Sequence, residues 1–187
     1  MGALLLAAMT ASVASAQNNV DNGNAVANPQ LAVDLDAKYA TSLLKPGVEA
    51  PEIALKTIDG KTFSLRSLRG KYVVVDFWAS WCPDCRKDAP NIIALYDKLH
   101  EKGVEFVGVS FDRNVESWKS GVEKLAIPYT QVSDLKNMRE SAVAQAYGIQ
   151  WIPSVYVIDP QGKVALATVM SGKVAAYLTS VYPDCAE

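Results

Sequence analysis

An apolar run that ends in two closely spaced cysteines sets the strictest limit on how this chain can fold. Residues 73–90 read VVVDFWASWCPDCRKDAP, with Cys82 and Cys85 in a C-x-x-C arrangement. The apolar run has the length and composition of a buried strand, and Pro83 is typical of the first position of a helix. Two thiols at a junction of strand and helix leave three interpretations: a metal site, a structural disulfide or a redox dithiol.

The number and spacing of the cysteines favour redox chemistry. A structural zinc site needs about four ligands, and besides the pair the chain offers Cys185 and a single histidine, His100. His100 falls near the end of a predicted helix, which indicates a solvated helix-end residue rather than a ligand or a base. A disulfide across two residues closes a very short loop and restrains the unfolded chain little. We therefore expect a redox pair, with no metal and no other cofactor.

The position of each cysteine relative to the helix predicts its role. Cys82 precedes the first helical turn, where free N–H groups and the helix dipole stabilise a thiolate and lower its pKa. Cys85 lies one turn further in, within reach of a mixed disulfide on Cys82. The pattern predicts an exposed nucleophile, Cys82, and a protected resolving thiol, Cys85. The charge of Asp84, between them, is expected to raise the pKa of Cys82 and so to favour a stronger reductant.

The first residues predict export. The segment MGALLLAAMTASVASAQ contains a short apolar stretch and then Ala14–Ala16, an A-x-A cleavage pattern, so residues 1–16 are interpreted as a signal peptide. The mature chain is expected to start near Gln17, although no Lys or Arg precedes Lys38 to form the usual positive region. The stretch is too short to span a bilayer. We expect a periplasmic or secreted protein, in a compartment where cysteine pairs persist as disulfides.

Length and composition predict one domain. A chain of 187 residues can bury a single sizeable core. Residues 17–45 are rich in Asn, Ala and Gln and are interpreted as a disordered leader or linker with a short helix near Leu31–Leu44. Residues 46–187 are interpreted as the domain. The formal net charge of −2 and the lack of a basic cluster give no reason to expect a nucleic-acid partner.

Hydrophobic periodicity and turn residues predict an α/β order of elements. The dipeptide at Asp59–Gly60 is a strong hairpin signal. The predicted strands are the hairpin Ile53–Leu65, then Lys71–Phe77, Val104–Ser110, Ser154–Ile158 and Lys163–Val169. The predicted helices are Pro83–Lys102, Asn114–Ala126, Met138–Gly148 and Lys173–Val181. Strand–helix–strand order implies a parallel pair with a crossover. The predicted fold class is α/β, with a mixed central sheet flanked by helices on both faces and an added N-terminal β-hairpin.

Two segments carry a family resemblance. VDFWASWCPDC closely resembles the thioredoxin active-site segment, with Asp76 six positions before the first cysteine and Pro90 eight after it. YGIQWIPSVYVID resembles the thioredoxin segment that holds a cis-proline facing the disulfide, so Ile152–Pro153 is the expected cis bond. WCPDCRKDAP and the hairpin segment resemble the exported TlpA-like disulfide reductases, which are related to the redoxin and AhpC/TSA proteins. The resemblance covers roughly residues 46–182 and implies a thioredoxin-like fold.

The apolar run and the resemblance together suggest roles for two carboxylates. Asp76 ends the apolar run and is expected to be buried beneath Cys85, where burial raises its pKa and lets it take and return the proton of that thiol. An exposed Asp at the strand end is the alternative. Asp88 lies three positions after Cys85, where the TlpA-like group usually has a glutamate that assists proton transfer. The shorter Asp reaches less far, so a surface helix charge remains an alternative.

The substrate surface is expected beside the cysteine pair. Trp81, directly before the first cysteine, and Pro83 are expected to contact the substrate. The resemblance implies that Ile152 and Pro153 face the pair. Because a proline supplies no N–H, Pro153 is expected to leave the nearby backbone open to a substrate strand. Trp151 lies next to them and is a candidate for the same surface.

The resemblance implies a thiol–disulfide oxidoreductase that reduces protein disulfides, such as those of apocytochrome c during cytochrome c maturation. Its partners would be protein thiols and disulfides and a membrane thiol–disulfide electron donor. The alternatives are a thiol oxidant or isomerase of the same fold, a peroxiredoxin-type peroxidase and a redox-inert binding module. A peroxidase would need a P-x-x-x-T-x-x-C pattern, but Ala79, Ser80 and Trp81 precede Cys82. Cys185 is expected to be free, with an intermolecular or regulatory pairing as its alternative.

Overall fold

The computed structural model describes residues 33–183. The predicted signal peptide, its cleavage near Gln17 and Cys185 lie outside this range. The strands of the described part are β1 (Ala54–Thr57), β2 (Thr62–Ser64), β3 (Val73–Trp78), β4 (Glu105–Ser110), β5 (Thr130–Ser133), β6 (Ser154–Ile158) and β7 (Val164–Thr168). Its helices are α1 (Asp36–Tyr39), α2 (Pro83–Leu99), α3 (Val115–Leu125), α4 (Ala142–Ala146) and α5 (Ser171–Val181), and short 3-10 turns cover Leu65–Leu68 and His100–Lys102. Within residues 33–183, no helix is both long and apolar enough to cross a bilayer.

One mixed sheet organises the chain. Across the described residues its seven strands run in the order β2-β1-β5-β4-β3-β6-β7. β3 is parallel to β4 and β4 to β5, whereas β1 is antiparallel to β2 and β5, and β6 is antiparallel to β3 and β7. Gly60, at φ 83°, allows the tight turn between β1 and β2. The predicted fold class, a mixed α/β sheet flanked by helices, is confirmed.

The central strand β3 is buried along its whole length because helices cover both faces of the sheet. Its side chains alternate between those faces. Phe77 contacts Tyr147, directly after α4, with ring centroids 5.2 Å apart. On the opposite face, Phe106 of β4 packs edge-on against Tyr96 of α2 at 5.5 Å. Asp76 belongs to this second face, so a carboxylate lies under the helix that begins at the cysteines.

The sequence analysis missed β5, which pairs with β1 and β4 near the middle of the sheet. Its sequence, TQVS, has no apolar run. The buried Gln131 side chain accepts a hydrogen bond from Trp78 Nε1 at 2.9 Å. It also occupies the space above Gly108 of β4, where any Cβ would lie 2.3 Å from its amide. The strand is therefore stabilised by its two neighbours and by side-chain hydrogen bonds rather than by an apolar pattern.

Helix α4 is shorter than predicted. The prediction covered Met138–Gly148, whereas the helix covers Ala142–Ala146. The Asn137 side chain accepts a hydrogen bond from the N–H of Arg139 at 3.0 Å and so closes a separate turn before the helix. The helix then starts after Ser141, whose side chain caps its first turn.

The described structure includes residues that precede the predicted domain boundary at residue 46. We call residues 34–45, which were expected to belong to a disordered leader, the N-terminal segment. It contains α1, and its Leu43 is 4 % exposed. Asp36 accepts hydrogen bonds from Thr168 Oγ1 and Val169 N–H, both at 2.8 Å. The segment is ordered here because Leu43 is buried and because the Asp36 carboxylate is bound by donors at the end of β7.

Candidate active site

Cys82 is the residue that caps the first turn of α2. Its backbone is extended, at φ −80° and ψ 116°, and Pro83 begins the helix. The Cys82 sulfur accepts a hydrogen bond from the N–H of Cys85 at 3.2 Å. It also lies 3.6 Å from the carbonyl oxygen of Ile152, on the loop before β6. The sulfur is therefore held between the positive end of a helix and a carbonyl group.

The hydrogen bonds at the pair shift the pKa values of the two thiols in opposite directions. The pKa of Cys82 is lowered to about 7, chiefly by the hydrogen bond from the Cys85 thiol and also by the N–H groups of Cys85 and Asp84. Burial and the Asp84 carboxylate oppose this change. The pKa of Cys85 is raised, because its thiol donates to the Cys82 sulfur and because it is buried. Near neutral pH Cys82 is therefore the thiol that ionises, whereas Cys85 retains its proton.

The prediction that Cys82 is exposed is wrong. Both cysteines of this free pair are 4 % exposed. The Cys82 side chain turns inward, because it caps the helix and lies against Ile152. The neighbouring Trp81, in contrast, is 56 % exposed. The two thiols thus differ in hydrogen bonding rather than in exposure.

Asp76 is buried on β3, so the exposed-carboxylate alternative is excluded. It is 6 % exposed, and burial raises its pKa to about 7. The Tyr129 hydroxyl donates a hydrogen bond to Asp76 Oδ2 at 3.0 Å, which acts in the opposite direction. The charges of Asp88 and Cys82 raise the pKa further. The sequence analysis missed Tyr129, which directly precedes β5, the strand that was also missed.

Asp88 lies on α2 and is half-buried. Its Oδ1 accepts hydrogen bonds from Asn91 Nδ2 at 2.8 Å and from the hydroxyl of Ser171, the first residue of α5. Its charge also contributes to the raised pKa of Asp76. Asp88 is therefore a partly solvated carboxylate whose charge acts on the buried one. Ser171 could not be identified from the sequence, because it lies on an element far along the chain.

A second buried carboxylate, Asp112, fixes the loop that leads to Cys82. Asp112 follows β4 and is 1 % exposed. It accepts hydrogen bonds from Ser80 N–H at 3.0 Å, Ser80 Oγ at 2.6 Å and Ser110 Oγ at 2.8 Å. Gly121 lets α3 approach this loop, since a Cβ there would lie 2.6 Å from Ser80 Cβ. The sequence analysis did not predict these hydrogen bonds of Asp112.

A groove of about 610 Å³ runs beside the cysteine pair. Pro153, which forms the expected cis peptide bond with Ile152, is buried and lines it. Trp151, 37 % exposed, also lines it, as do Asp84 and Asp88 of α2. The groove therefore joins the C-x-x-C segment to the loop before β6.

His100 lies at the far end of α2 from the cysteines. Its Nδ1 is 2.7 Å from the Tyr96 carbonyl oxygen, and its ring stacks on Tyr96 with centroids 4.3 Å apart. Within residues 33–183, no group of three or more His, Cys, Asp or Glu side chains has the arrangement of a metal site.

A family model and a curated relative match most of the described domain. The model of the AhpC/TSA family matches residues 46–167. The thiol-disulfide oxidoreductase ResA of Bacillus thuringiensis (strain Al Hakam) is 32% identical over 118 residues, which is 63% of this chain and 66% of ResA. The match thus spans slightly less than two thirds of that relative.

Solved structures share the fold. The thioredoxin domain of a thiol-disulfide oxidoreductase from Bacteroides vulgatus is 33% identical, with a TM-score of 0.65 over 72% of this chain and 98% of that domain. A thiol:disulfide interchange protein from Bacteroides sp. is 32% identical, with a TM-score of 0.67 over 73% of this chain and 90% of that protein. The fold is thus thioredoxin-like.

Proposed function

The chain belongs to the AhpC/TSA family, and from this premise we propose that it is a thiol–disulfide oxidoreductase that reduces protein disulfides outside the cytoplasm. Cys82 and Cys85 would be its redox pair and Asp76 its proton carrier. The observation that carries the proposal is the Cys82 sulfur at the start of α2, bonded by the Cys85 N–H at 3.2 Å. The ResA relative, named as an enzyme of this class, supports it.

The first step is attack on the substrate. The Cys82 thiolate attacks one sulfur of a substrate disulfide, a new S–S bond forms, and the substrate S–S bond breaks. The first substrate thiolate leaves and takes a proton from solvent. A Cys82 pKa of about 7 means that about half of the molecules hold the thiolate at neutral pH.

The second step resolves the mixed disulfide. Cys85 gives its thiol proton to Asp76 and attacks the Cys82 sulfur, which releases the second substrate thiolate. Two electrons have then moved from the pair to the substrate, and Cys82 and Cys85 are joined as a disulfide. A carboxylate with a pKa of about 7 accepts a thiol proton more readily than an ordinary one. Asp88, half-buried beside it, would return that proton to solvent.

The substrate is proposed to lie over the loop before β6 and the start of α2. Ile152 and Pro153 would face its backbone, since the carbonyl oxygen of Ile152 lies 3.6 Å from the reactive sulfur. Trp81 and Pro83, both exposed, would contact it from the other side. Proteins with accessible disulfides, apocytochrome c among them, are the proposed substrates.

Location and electron supply follow from the predicted export signal. We propose that residues 1–16 are removed near Gln17 and that the domain, together with the N-terminal segment attached to it, acts in the periplasm or after secretion. A membrane thiol–disulfide donor would then re-reduce the pair. Cys185 would be free and outside this cycle.

The reduction potential of the Cys82–Cys85 pair tests the proposal, measured with Cys185→Ser in every sample. We expect a value near or below that of thioredoxin, about −270 mV, because a reductase must hold a stable disulfide. A value near that of a strong exported oxidant, about −120 mV, would reverse the direction of transfer. Cys82→Ser should abolish disulfide reduction, and Cys85→Ser should accumulate the mixed disulfide. Full biological activity in the double Ser variant would mean a redox-inert binding protein.

A further inference from the structure

The N-terminal segment lies upstream of the family match at residues 46–167, yet it is attached firmly beside the candidate active site. Its Asp36 accepts hydrogen bonds from Thr168 Oγ1 and Val169 N–H, both at 2.8 Å, and from Lys173 Nζ at 2.6 Å. These donors come from the end of β7 and from α5. One end of the segment is therefore fixed next to the groove.

The other end of the segment is fixed near α4 and β6. Ser42 Oγ donates to the carbonyl oxygen of Gly148 at 2.7 Å, and Leu44 N–H donates to the Tyr156 hydroxyl at 2.9 Å. Gly148 has φ +66°, and a Cβ there would lie 2.0 Å from the Ser42 carbonyl oxygen. Only a glycine permits this close approach. The segment is thus held at both ends.

Between these attachments, the segment builds a wall of the groove. The Tyr39 ring stacks on Trp151, with centroids 4.1 Å apart and ring planes 24° apart. Leu35, 41 % exposed, lines the same groove. Trp151 directly precedes Ile152, whose carbonyl oxygen lies 3.6 Å from the Cys82 sulfur, so the aromatic pair adjoins the loop that contacts the cysteine pair. The exposed apolar surface of this wall has the character of a recognition surface.

The facing lining of the groove is acidic. Asp84, Lys87 and Asp88 of α2 line it, with two carboxylates and one ammonium. On the opposite wall, Lys38 Nζ lies 4.9 Å from the centre of the Tyr39 ring. Asp84 lies between the reactive cysteines, and Pro153 follows the residue whose carbonyl contacts the Cys82 sulfur. A polypeptide whose disulfide reaches Cys82 therefore runs its flanking residues along this groove. Acidic residues in that flank are disfavoured by the two carboxylates.

We propose that the N-terminal segment completes the substrate site, and that the Tyr39–Trp151 pair selects polypeptide disulfides flanked by an aromatic side chain in a neutral or basic sequence. This inference rests on the proposed function and specifies the substrate of the same site. The pair acts by contact with the flank of the substrate, so it affects reaction with polypeptides and leaves small disulfides nearly unaffected.

The test compares disulfides that differ only in their flank. Short peptides with one cysteine, joined to glutathione as a mixed disulfide, carry Phe-Arg, Ala-Arg or Phe-Glu beside the cysteine. Hydroxyethyl disulfide is the small probe. The prereduced full chain with Cys185→Ser is mixed with each probe, and the second-order rate of oxidation of the Cys82–Cys85 pair is measured. Each reaction converts the protein dithiol to a disulfide and releases two thiols.

We expect the Phe-Arg peptide to react about five- to tenfold faster than the Ala-Arg peptide, the size expected for one aromatic contact. Tyr39→Leu and Trp151→Leu should each bring that ratio close to one, with the hydroxyethyl disulfide rate within about twofold of the parent. Tyr39→Phe should restore the ratio, because it keeps the stacked ring. Tyr72→Leu, which removes an aromatic ring paired with Tyr182 elsewhere, is the matched control and should leave the ratio unchanged.

The charge part of the proposal has its own readout. The Phe-Glu peptide should react more slowly than the Phe-Arg peptide at low salt, and the difference should shrink as salt screens the groove. The proposal is overturned if the ratio of the Phe-Arg rate to the Ala-Arg rate is unchanged in both Leu variants. It is also overturned if the Leu variants slow the reaction with hydroxyethyl disulfide as much as the reaction with the Phe-Arg peptide. No reaction of the parent chain with any probe would overturn the proposed function itself, and the inference with it.

Discussion

Asp76 and Asp112 are both buried carboxylates on neighbouring strands of the sheet or just after them, at 6 % and 1 % exposure. Their surroundings differ. Asp112 accepts hydrogen bonds from the N–H and hydroxyl of Ser80 and from the hydroxyl of Ser110. Asp76 accepts one from the Tyr129 hydroxyl and otherwise faces acidic groups that disfavour its charge.

The difference separates two uses of a buried acid beside a reactive thiol. Several short hydrogen bonds at Asp112 hold the groups that donate them, so this carboxylate fixes the loop before Cys82. At Asp76, a single hydrogen bond from Tyr129 opposes the effect of burial, and the pKa is raised to about 7. This group can therefore gain and lose a proton near neutral pH. Burial alone therefore does not identify a proton carrier; the number of donors around it decides.

The largest expected effect is on the stability of the fold, through Asp76. Its pKa rises from 3.8 to about 7 on folding, so between these values the folded state binds more protons than the unfolded state. Stability from this group is then full below about pH 4 and falls as pH rises to about 7. The difference between the two pKa values corresponds to at most about 4 kcal/mol. Asp76→Asn should remove this loss.

Denaturant unfolding at pH 4, 6 and 8 measures the effect. The stability of the parent chain should fall relative to Asp76→Asn as pH rises, because the other titrating groups are common to both. Parallel pH curves for the two proteins would mean that Asp76 is not destabilised by burial. The comparison of the two carboxylates would then fail.

The next largest effect is expected at Asp112. Asp112→Ala leaves the Ser80 and Ser110 donors without their acceptor and should destabilise the fold by about 3 kcal/mol. Asp112→Asn keeps an acceptor oxygen of the same shape and should lose less. The same unfolding experiment gives both values. At high pH, Asp112→Ala should lower the free energy of unfolding relative to the parent, whereas Asp76→Asn should raise it. An Asp112→Ala protein as stable as the parent would show that the hydrogen bonds of Asp112 do not stabilise the loop before Cys82.

The smallest expected effect is on the pKa of Asp76 and comes from one hydroxyl group, that of Tyr129. Tyr129→Phe removes the hydrogen bond that favours the Asp76 carboxylate, so the pKa of Asp76 should rise further. The low-pH limb of the rate of resolution by Cys85 should move up by about 0.7 pH unit, the equivalent of about 1 kcal/mol. Asp88 and Cys82, which also face Asp76, are unchanged in this variant.

The rate of release of the second substrate thiol, measured from pH 5 to 9, tests this prediction. Tyr147→Phe is the matched control, because it loses a hydrogen bond to the Pro51 carbonyl oxygen at the opposite face of the sheet. It should leave the pH limb in place. A uniform slowing of Tyr129→Phe at all pH values would assign Tyr129 a structural role alone.

Local signals made most of the fold predictable. The start of α2 follows from Pro83 after a buried strand, and the cis bond at Ile152–Pro153 followed from the resembled segment. The strand β5 was not predictable in this way. Its TQVS sequence has no apolar period, and its stability comes from β1 and β4 and from the Gln131 side chain between them. The sequence pattern of one strand gives no information about which strands will pair with it.

The candidate site was predictable only where its residues adjoin the C-x-x-C segment. Asp76 was expected to be buried from its apolar neighbours, and it is. Tyr129 is 53 positions from Asp76, and Asp112 is 32 positions from Ser80, so no local spacing marked either contact. The exposure of Cys82 was predicted wrongly because it depends on the Ile152 carbonyl, which folding brings from another loop.

The attachment of the N-terminal segment also has a consequence for the order of events in time. Asp36 binds Thr168 across 132 positions of sequence. Contacts that close such long loops form late. Synthesis delivers the segment before β7 and α5, so it cannot dock until those two elements exist. A newly made chain therefore contains Cys82 and Cys85 before the N-terminal segment can complete the groove, and the proposed selection of substrates would begin only after α5 has formed.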